Sequence, residues 1–178
     1  MANALYQVDN EVYTGTAPLY KMVLTAAENT ELGNLLASAS SFNSSDAAMN
    51  ITFISVDGPG TEVRYLGSVR NRGHGSRIGN PHNYRVGFRS DEPWKNLAAI
   101  NLNARTPWAQ HIGSVLALKS GVAGGNSRAV QLRINGGVGL GGVPTYNHYA
   151  ANEDLGSDWA SNHFPEDGGG NVYKVEIG

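Results

Sequence analysis

Six arginines lie between Glu62 and Arg89, at positions 64, 70, 72, 77, 85 and 89, and Glu62 is the one acid in that span. Arginine stays charged and presents a planar fork of donors that matches phosphate or carboxylate. Most of the group sits in VRNRGHGSRIGNPHNYRVGF, residues 69–88, where glycines let backbone amides approach an anion closely. Read for chemistry, the stretch is a phosphate-binding loop between two strands. Read for structure, alternating arginines form a solvated face paired with Asp57, Glu62, Asp91 and Glu92. Spacing alone leaves both readings open. RGHGS lacks the Gly-Lys-Ser/Thr ending of a Walker loop, and the stretch does not match GxGxxG.

The other reactive residue types offer less. Histidines 74, 82, 111, 148 and 163 form no HExxH or HxH pair, so a histidine metal site has little support. His111, in a helical stretch, reads as a packing or capping group. Asp154, Asp158, Glu166, Asp167 and Asn171 supply hard oxygen atoms suited to calcium, but their spacing is not that of an EF-hand loop, and a solvated loop is the simpler reading. GHGSR lacks the final glycine of the GxSxG elbow that a serine hydrolase would use. Trp94, Trp108, Tyr146, Tyr149 and Trp159 could form a sugar- or base-stacking surface, or serve as core and rim residues.

The elements that must carry these residues are legible in outline. Residues 1–20 read as an extended lead-in anchored by Leu5, Val8, Val12, Leu19 and Tyr20. Thr25 and Glu28 fit a capping box, and Leu32, Leu35 and Leu36 follow at helical spacing, which predicts a helix near 25–38. ASASSFNSSDAAMN is small and polar, a surface loop. NITFISV and TEVRYLGSVR flank the turn signal DGPG, predicting a hairpin over about 50–70. Tyr84, Val86 and Phe88 alternate with Arg85 and Arg89 in a further strand, and AAINLN is another. Thr106, Pro107 and Gly121 punctuate a second helix with Ile112, Val115 and Leu116 as its apolar stripe. Val130, Leu132 and Ile134 alternate in RAVQLRIN, the flexible GGVGLGG follows, and TYNHYAANE reads as the returning strand. The tail offers a short helical turn, a loop and a last extended piece. The expected fold class is α+β, a mostly antiparallel sheet with one or two flanking helices.

Composition narrows the function classes. A chain of 178 residues with 40% hydrophobic content suits a single domain with a real core. No run approaches the roughly 18 apolar residues of a membrane helix. Charged residues make up only 16%, and 23 glycines with many Asn, Ser and Thr favour a turn-rich β or extracellular domain. Absence of cysteine excludes disulfides and thiolate chemistry. A net charge of -2 argues against nucleic acid binding through the whole molecule. MANALYQVDNEV has neither the basic start nor the apolar stretch of a signal peptide.

Several stretches, taken in order, resemble a known family. VRYLGSVRNRGHGSR, PHNYRVGF, INLNARTPWAQHIGSVLALKSGV, RAVQLRING and HFPEDGGGNVYK are similar to the amino-terminal part of CotH-type domains, the spore-coat kinases and their relatives in bacterial secreted proteins. The likeness spans about residues 50–174, with residues 1–49 as a lead-in within one domain overall. It implies a kinase-like amino-terminal lobe, phosphorylation of serines on surface or coat proteins, and ATP with magnesium. By the same resemblance Arg72, Gly73, Gly75, Ser76 and Arg77 form a loop near nucleotide phosphates, and Arg85 is a phosphate partner on the next strand. Asn101 and Asn103 match the segment before the helix, and Glu153 matches a family glutamate, although AANE is less apolar than the usual version.

The family's catalytic aspartates come well after the GNxYK motif, whereas this sequence stops five residues after Tyr173, so no catalytic residue is assigned. The resulting expectation is an incomplete kinase-like domain, not catalytic alone, that acts as a surface or coat assembly module. The alternatives are part of an active ATP-dependent kinase completed by a missing carboxy-terminal half, and an extracellular carbohydrate-binding module. An incomplete lobe would expose apolar surface and an unpaired strand edge, favouring self-association or a companion chain. The expected location is extracellular, at a cell or spore surface, with no nucleic acid partner and no membrane span.

Overall fold

A computed structural model of the chain describes residues 3–8, 13–37, 45–58, 60–137 and 147–173. Its order is β1 (Leu19–Val23), α1 (Ala26–Ala37), β2 (Met49–Asp57), β3 (Gly60–Asn71), β4 (Tyr84–Gly87), β5 (Ala99–Asn103), α2 (Pro107–Lys119), β6 (Ser127–Ile134), β7 (Asn147–Glu153) and α3 (Ser157–His163). The strands close into one barrel in the order β1-β2-β3-β4-β5-β7-β6. Every pairing is antiparallel except β1 with β6, which run parallel with Leu19 beside Gln131. The expected α+β lobe with a flanking helix is therefore corrected to a closed, mixed seven-stranded barrel with three short helices. Closure pairs every described strand on both sides, so the unpaired edge expected of a cut lobe does not exist among them.

Strand alternation builds the core. Tyr20, Met22, Ile51, Phe53, Val69, Tyr84, Val86, Ile100, Leu102, Val130, Leu132, Tyr149 and Ala151 face inward and are buried. Residues 19–23, read from sequence as lead-in, supply two of those side chains and the strand that closes the ring. Strand β3 carries a bulge: the register with β2 shifts between Ile51 and Phe53, and Leu66 takes a φ of 55.

Helix α1 begins with the expected capping box. Thr25 Oγ1 accepts the Glu28 N–H at 3.1 Å, and Glu28 Oε2 accepts the Thr25 N–H at 3.1 Å. Leu32 and Leu36 are buried against β2 and β3, and Asn71 Nδ2 donates to Leu32 O at 2.8 Å where β3 ends. This helix covers one end of the barrel. A two-residue turn covers the other: Trp94 and Leu97 exchange backbone hydrogen bonds while Lys95 and Asn96 hold φ of 51 and 60, as a type I′ hairpin requires. Trp94 then packs edge-on against Tyr20 and Phe53, with ring centroids 5.4 and 5.5 Å away.

Helix α2 starts with Pro107 and ends before Gly121, at φ 80, as the sequence indicates. Its apolar stripe behaves differently from the expectation. None of its residues is fully buried, and Trp108, Ile112 and Leu116 are each more than half exposed. Polar contacts tie the helix beside β6 and β7: His111 Nδ1 to Ser127 O at 2.8 Å, Ser114 Oγ to Gly125 O at 2.7 Å, and Asn152 Nδ2 to Gln110 Oε1 at 3.0 Å. Most of GGVGLGG, Tyr146, Val12 and the final extended piece lie outside the described residues.

Candidate anion-binding site

The arginines divide by what they touch. Arg64 pairs with Glu62 at 3.1 Å, and Arg89 pairs with Asp91, so these two follow the solvated-face reading. Lys95 and Arg128, rather than nearby arginines, take Asp57.

Arg77 is structural. Its side chain is nearly inaccessible, and its guanidinium donates to Gly73 O at 2.8 Å, Ser45 O at 2.6 Å and Asp46 Oδ1 at 2.8 Å. Asp46 also accepts from Arg70 at 2.6 Å. The hydrogen bond from Arg77 holds the Asp46 carboxyl below its usual pKa; burial opposes this, and the charges of Arg70, Arg77 and Arg85 assist it. Thus Arg77 ties the 72–83 loop to residues 45–46. Gly73 makes the tie possible: its φ is 102, and a Cβ there would sit 2.5 Å from Ser76 Oγ. Nothing lies within 4 Å of a Cβ on Gly75.

Arg85, on the outer face of β4, also has its anion. Nε and Nη2 reach Asp154 Oδ2 at 2.9 and 2.7 Å, and Asn101 Nδ2 donates to Asp154 Oδ1 at 3.1 Å. Register explains the grouping, since Arg85 lies opposite Asn101 and Asn101 opposite Asn152 on one face. Asn101 Oδ1 is buried and has no hydrogen-bond partner among the described residues. Asp158 is used elsewhere, accepting the Ala98 N–H at 2.9 Å, so the tail acids considered for calcium are drawn apart.

Arg72 differs. It is part-buried, donates to Asn103 Oδ1, and forms no ion pair among the described residues. Burial lowers its pKa from the usual arginine value; Asp154 opposes that, and the charges of Arg70, Arg85 and Arg77 add to it. It lines a pocket of about 190 Å³ with Ser76, Asn83, Asn103, Arg105, Thr106 and Gln110. Asn83 braces the wall, donating to Ser76 Oγ at 3.2 Å and accepting the Ala104 N–H at 2.8 Å. The Arg105 carbonyl accepts from Gln110 Nε2, while its guanidinium has no hydrogen bond or ion pair among the described residues. Thr106 is the α2 N-cap residue, yet its side chain makes no capping bond and its φ of 49 with ψ of 51 is left-handed, a costly state for a β-branched residue.

The resulting pocket offers the unspent donors of two guanidinium groups and two hydroxyls. Its lining contains no carboxylate. That donor set fits a phosphate group and does not fit magnesium, which seeks oxygen ligands and would meet two cations. A volume of about 190 Å³ is below the ~300–1,000 Å³ of ordinary ligand sites, so the pocket holds a group rather than a whole ligand. An adjoining cavity of about 350 Å³ shares Ser76, Asn83 and Arg105 and adds Ile78, Pro81 and Ala104 as less polar walls.

Of the residues selected from sequence, Arg72 and Ser76 line the pocket, while Gly73, Gly75 and Arg77 shape and anchor its loop. Arg85 stands beside it, engaged by Asp154. Glu153 points elsewhere: opposite Ile100 in the register, it turns to the inner face at the barrel mouth, where Oε2 takes the Asn126 N–H at 2.6 Å and meets His163 Nε2 at 2.7 Å. Sequence reasoning missed Asn83, Arg105 and Gln110. The signal for Arg105 was its place just before the Thr-Pro that opens α2. No family model and no curated protein significantly matches this chain.

Proposed function

We propose that this barrel is a binding module for a phosphorylated small molecule, with the phosphate in the Arg72 pocket and the remainder in the adjoining cavity. The observation that carries the reading is Arg72, a part-buried guanidinium that pairs with no carboxylate among the described residues, in a cluster where Arg70 and Arg77 hold Asp46 and Arg85 holds Asp154. A bound phosphate supplies the missing counter-charge. The likeness to CotH-type domains points toward the same anion, the phosphates of ATP, and toward a surface or coat setting. With no carboxylate in the lining to activate a hydroxyl or hold a metal, the geometry supports binding rather than phosphoryl transfer. Titration with ADP and with adenosine, followed by backbone amide shifts, tests this. ADP should move Ser76, Arg105 and Thr106 saturably while adenosine leaves them unmoved; equal responses would sink the reading.

A second reading rests on α2. Trp108, Ile112 and Leu116 recur every four residues and form an exposed apolar stripe, which suits self-association as an assembly module. Sedimentation equilibrium should detect a dimer that Ile112→Glu dissociates; a monomer at all concentrations would refute it.

A further inference from the structure

The end of the barrel opposite α1 holds a separate cavity, of about 340 Å³, whose inner wall is Tyr20, Trp94, Leu97, Ile100 and Ala151. Lys95 and Arg128 stand at its rim. Both are spent on one carboxylate: Lys95 Nζ reaches Asp57 Oδ2 at 2.8 Å, and Arg128 Nη2 reaches Asp57 Oδ1 at 2.6 Å. Two cations on a single anion leave one positive charge over. The lining's own carboxylate, Glu153, does not serve as that partner, because its side chain is only 8% exposed and is engaged by Asn126 and His163.

Tyr20 adds a donor. The residue is 1% exposed and lines the cavity, and its hydroxyl makes no hydrogen bond among the described residues. Burial holds its pKa above the usual tyrosine value, with Arg128 opposing and Asp57 and Glu62 adding, so the phenol stays protonated. Barrel mouths are common ligand positions, and a largely apolar cavity with a few convergent polar groups is their usual composition. Two consecutive left-handed residues, Lys95 and Asn96, place Trp94 in the wall and Lys95 at the rim.

We infer that this mouth binds a small amphipathic monoanion, its apolar body against Trp94, Ile100 and Ala151 and its carboxylate at Lys95, Arg128 and the Tyr20 hydroxyl. The site is separate from the Arg72 pocket and uses none of its residues. The cavity lies at the small end of ligand sites, about the size for one aromatic ring with a short chain.

The probe is 3-phenylpropanoate, with 3-phenylpropanamide as its neutral match, followed through the Trp94 indole N–H, which donates to Ser55 Oγ at 3.0 Å. The carboxylate should shift that resonance saturably, and the amide should bind at least about tenfold more weakly. Lys95→Met and Arg128→Met, both on substantially exposed side chains, should keep the fold and weaken the carboxylate by about tenfold. Ala151→Leu should fill the cavity and abolish the response. Absence of a saturable shift in the wild type would overturn the inference, as would equal affinity for acid and amide, or unchanged affinity in both rim variants.

Discussion

Arg85 donates to Asp154 Oδ2 through Nε at 2.9 Å and Nη2 at 2.7 Å, while among the described residues the guanidinium of its neighbour Arg72 has only the amide oxygen of Asn103. The two cations lie in the same cluster, but among the described residues only Arg85 is in direct contact with an anion, and Arg72 feels Asp154 without pairing with it. Arg85 therefore reads as part of the scaffold and Arg72 as part of the site.

Stability should separate them. Arg85→Ala leaves Asp154, whose side chain is 23% exposed, without its principal partner, and should cost about 1–2 kcal/mol, less than a fully buried pair would. Arg72→Met removes a part-buried cation that pairs with no carboxylate among the described residues and should leave stability within roughly 0.5 kcal/mol of wild type or raise it. Urea unfolding of the three proteins measures the difference; equal losses would contradict it.

The two loop glycines should differ as sharply. Gly73→Ala forces a Cβ against Ser76 Oγ at a φ of 102 and should cost about 1–3 kcal/mol. Gly75→Ala meets nothing within 4 Å and should change stability by no more than about 0.5 kcal/mol. Thermal melts of the pair decide it.

Thr106→Gly should relieve the left-handed strain at the start of α2. Because the Thr106 side chain makes no capping bond, little is lost, and a gain of about 1 kcal/mol is expected in denaturant unfolding. The hydroxyl goes with it, so phosphate affinity should fall several-fold.

Asp46 predicts a pH response. Its folded pKa is lowered, chiefly by the Arg77 hydrogen bond, so its contribution is present above the ordinary carboxylate pKa and is lost as pH falls through the folded value. Amide exchange in residues 72–83 should accelerate below about pH 4, and Asp46→Asn should show the fast exchange already at neutral pH. A wild-type loop indifferent to acid would contradict the role of Asp46 as its anchor.

Much of this molecule is legible in local signals. The Thr25–Glu28 box, the hairpin turn after Asp57, the alternation around Arg85 and the Pro107 start of α2 each depend on residues a few positions apart. Barrel closure does not, since it joins Leu19 to Gln131 through a parallel pairing that no local period announces. That single pairing turns an expected open sheet into a ring. The site was half legible for the same reason. The loop glycines and arginines stand together in sequence, whereas the roles of Arg72 and Arg85 depend on Asn103 and Asp154, which the fold brings in from β5 and from the end of β7. The Lys95–Asn96 turn went unread because hairpin turns of this type usually signal themselves with Asn-Gly.

The most direct test is calorimetric titration of ADP, at low ionic strength, into wild type, Arg72→Met and Arg85→Ala. The account predicts measurable binding by wild type, a loss of at least about tenfold in Arg72→Met, and retention within about threefold in Arg85→Ala. Binding that survives in Arg72→Met and disappears in Arg85→Ala would contradict it.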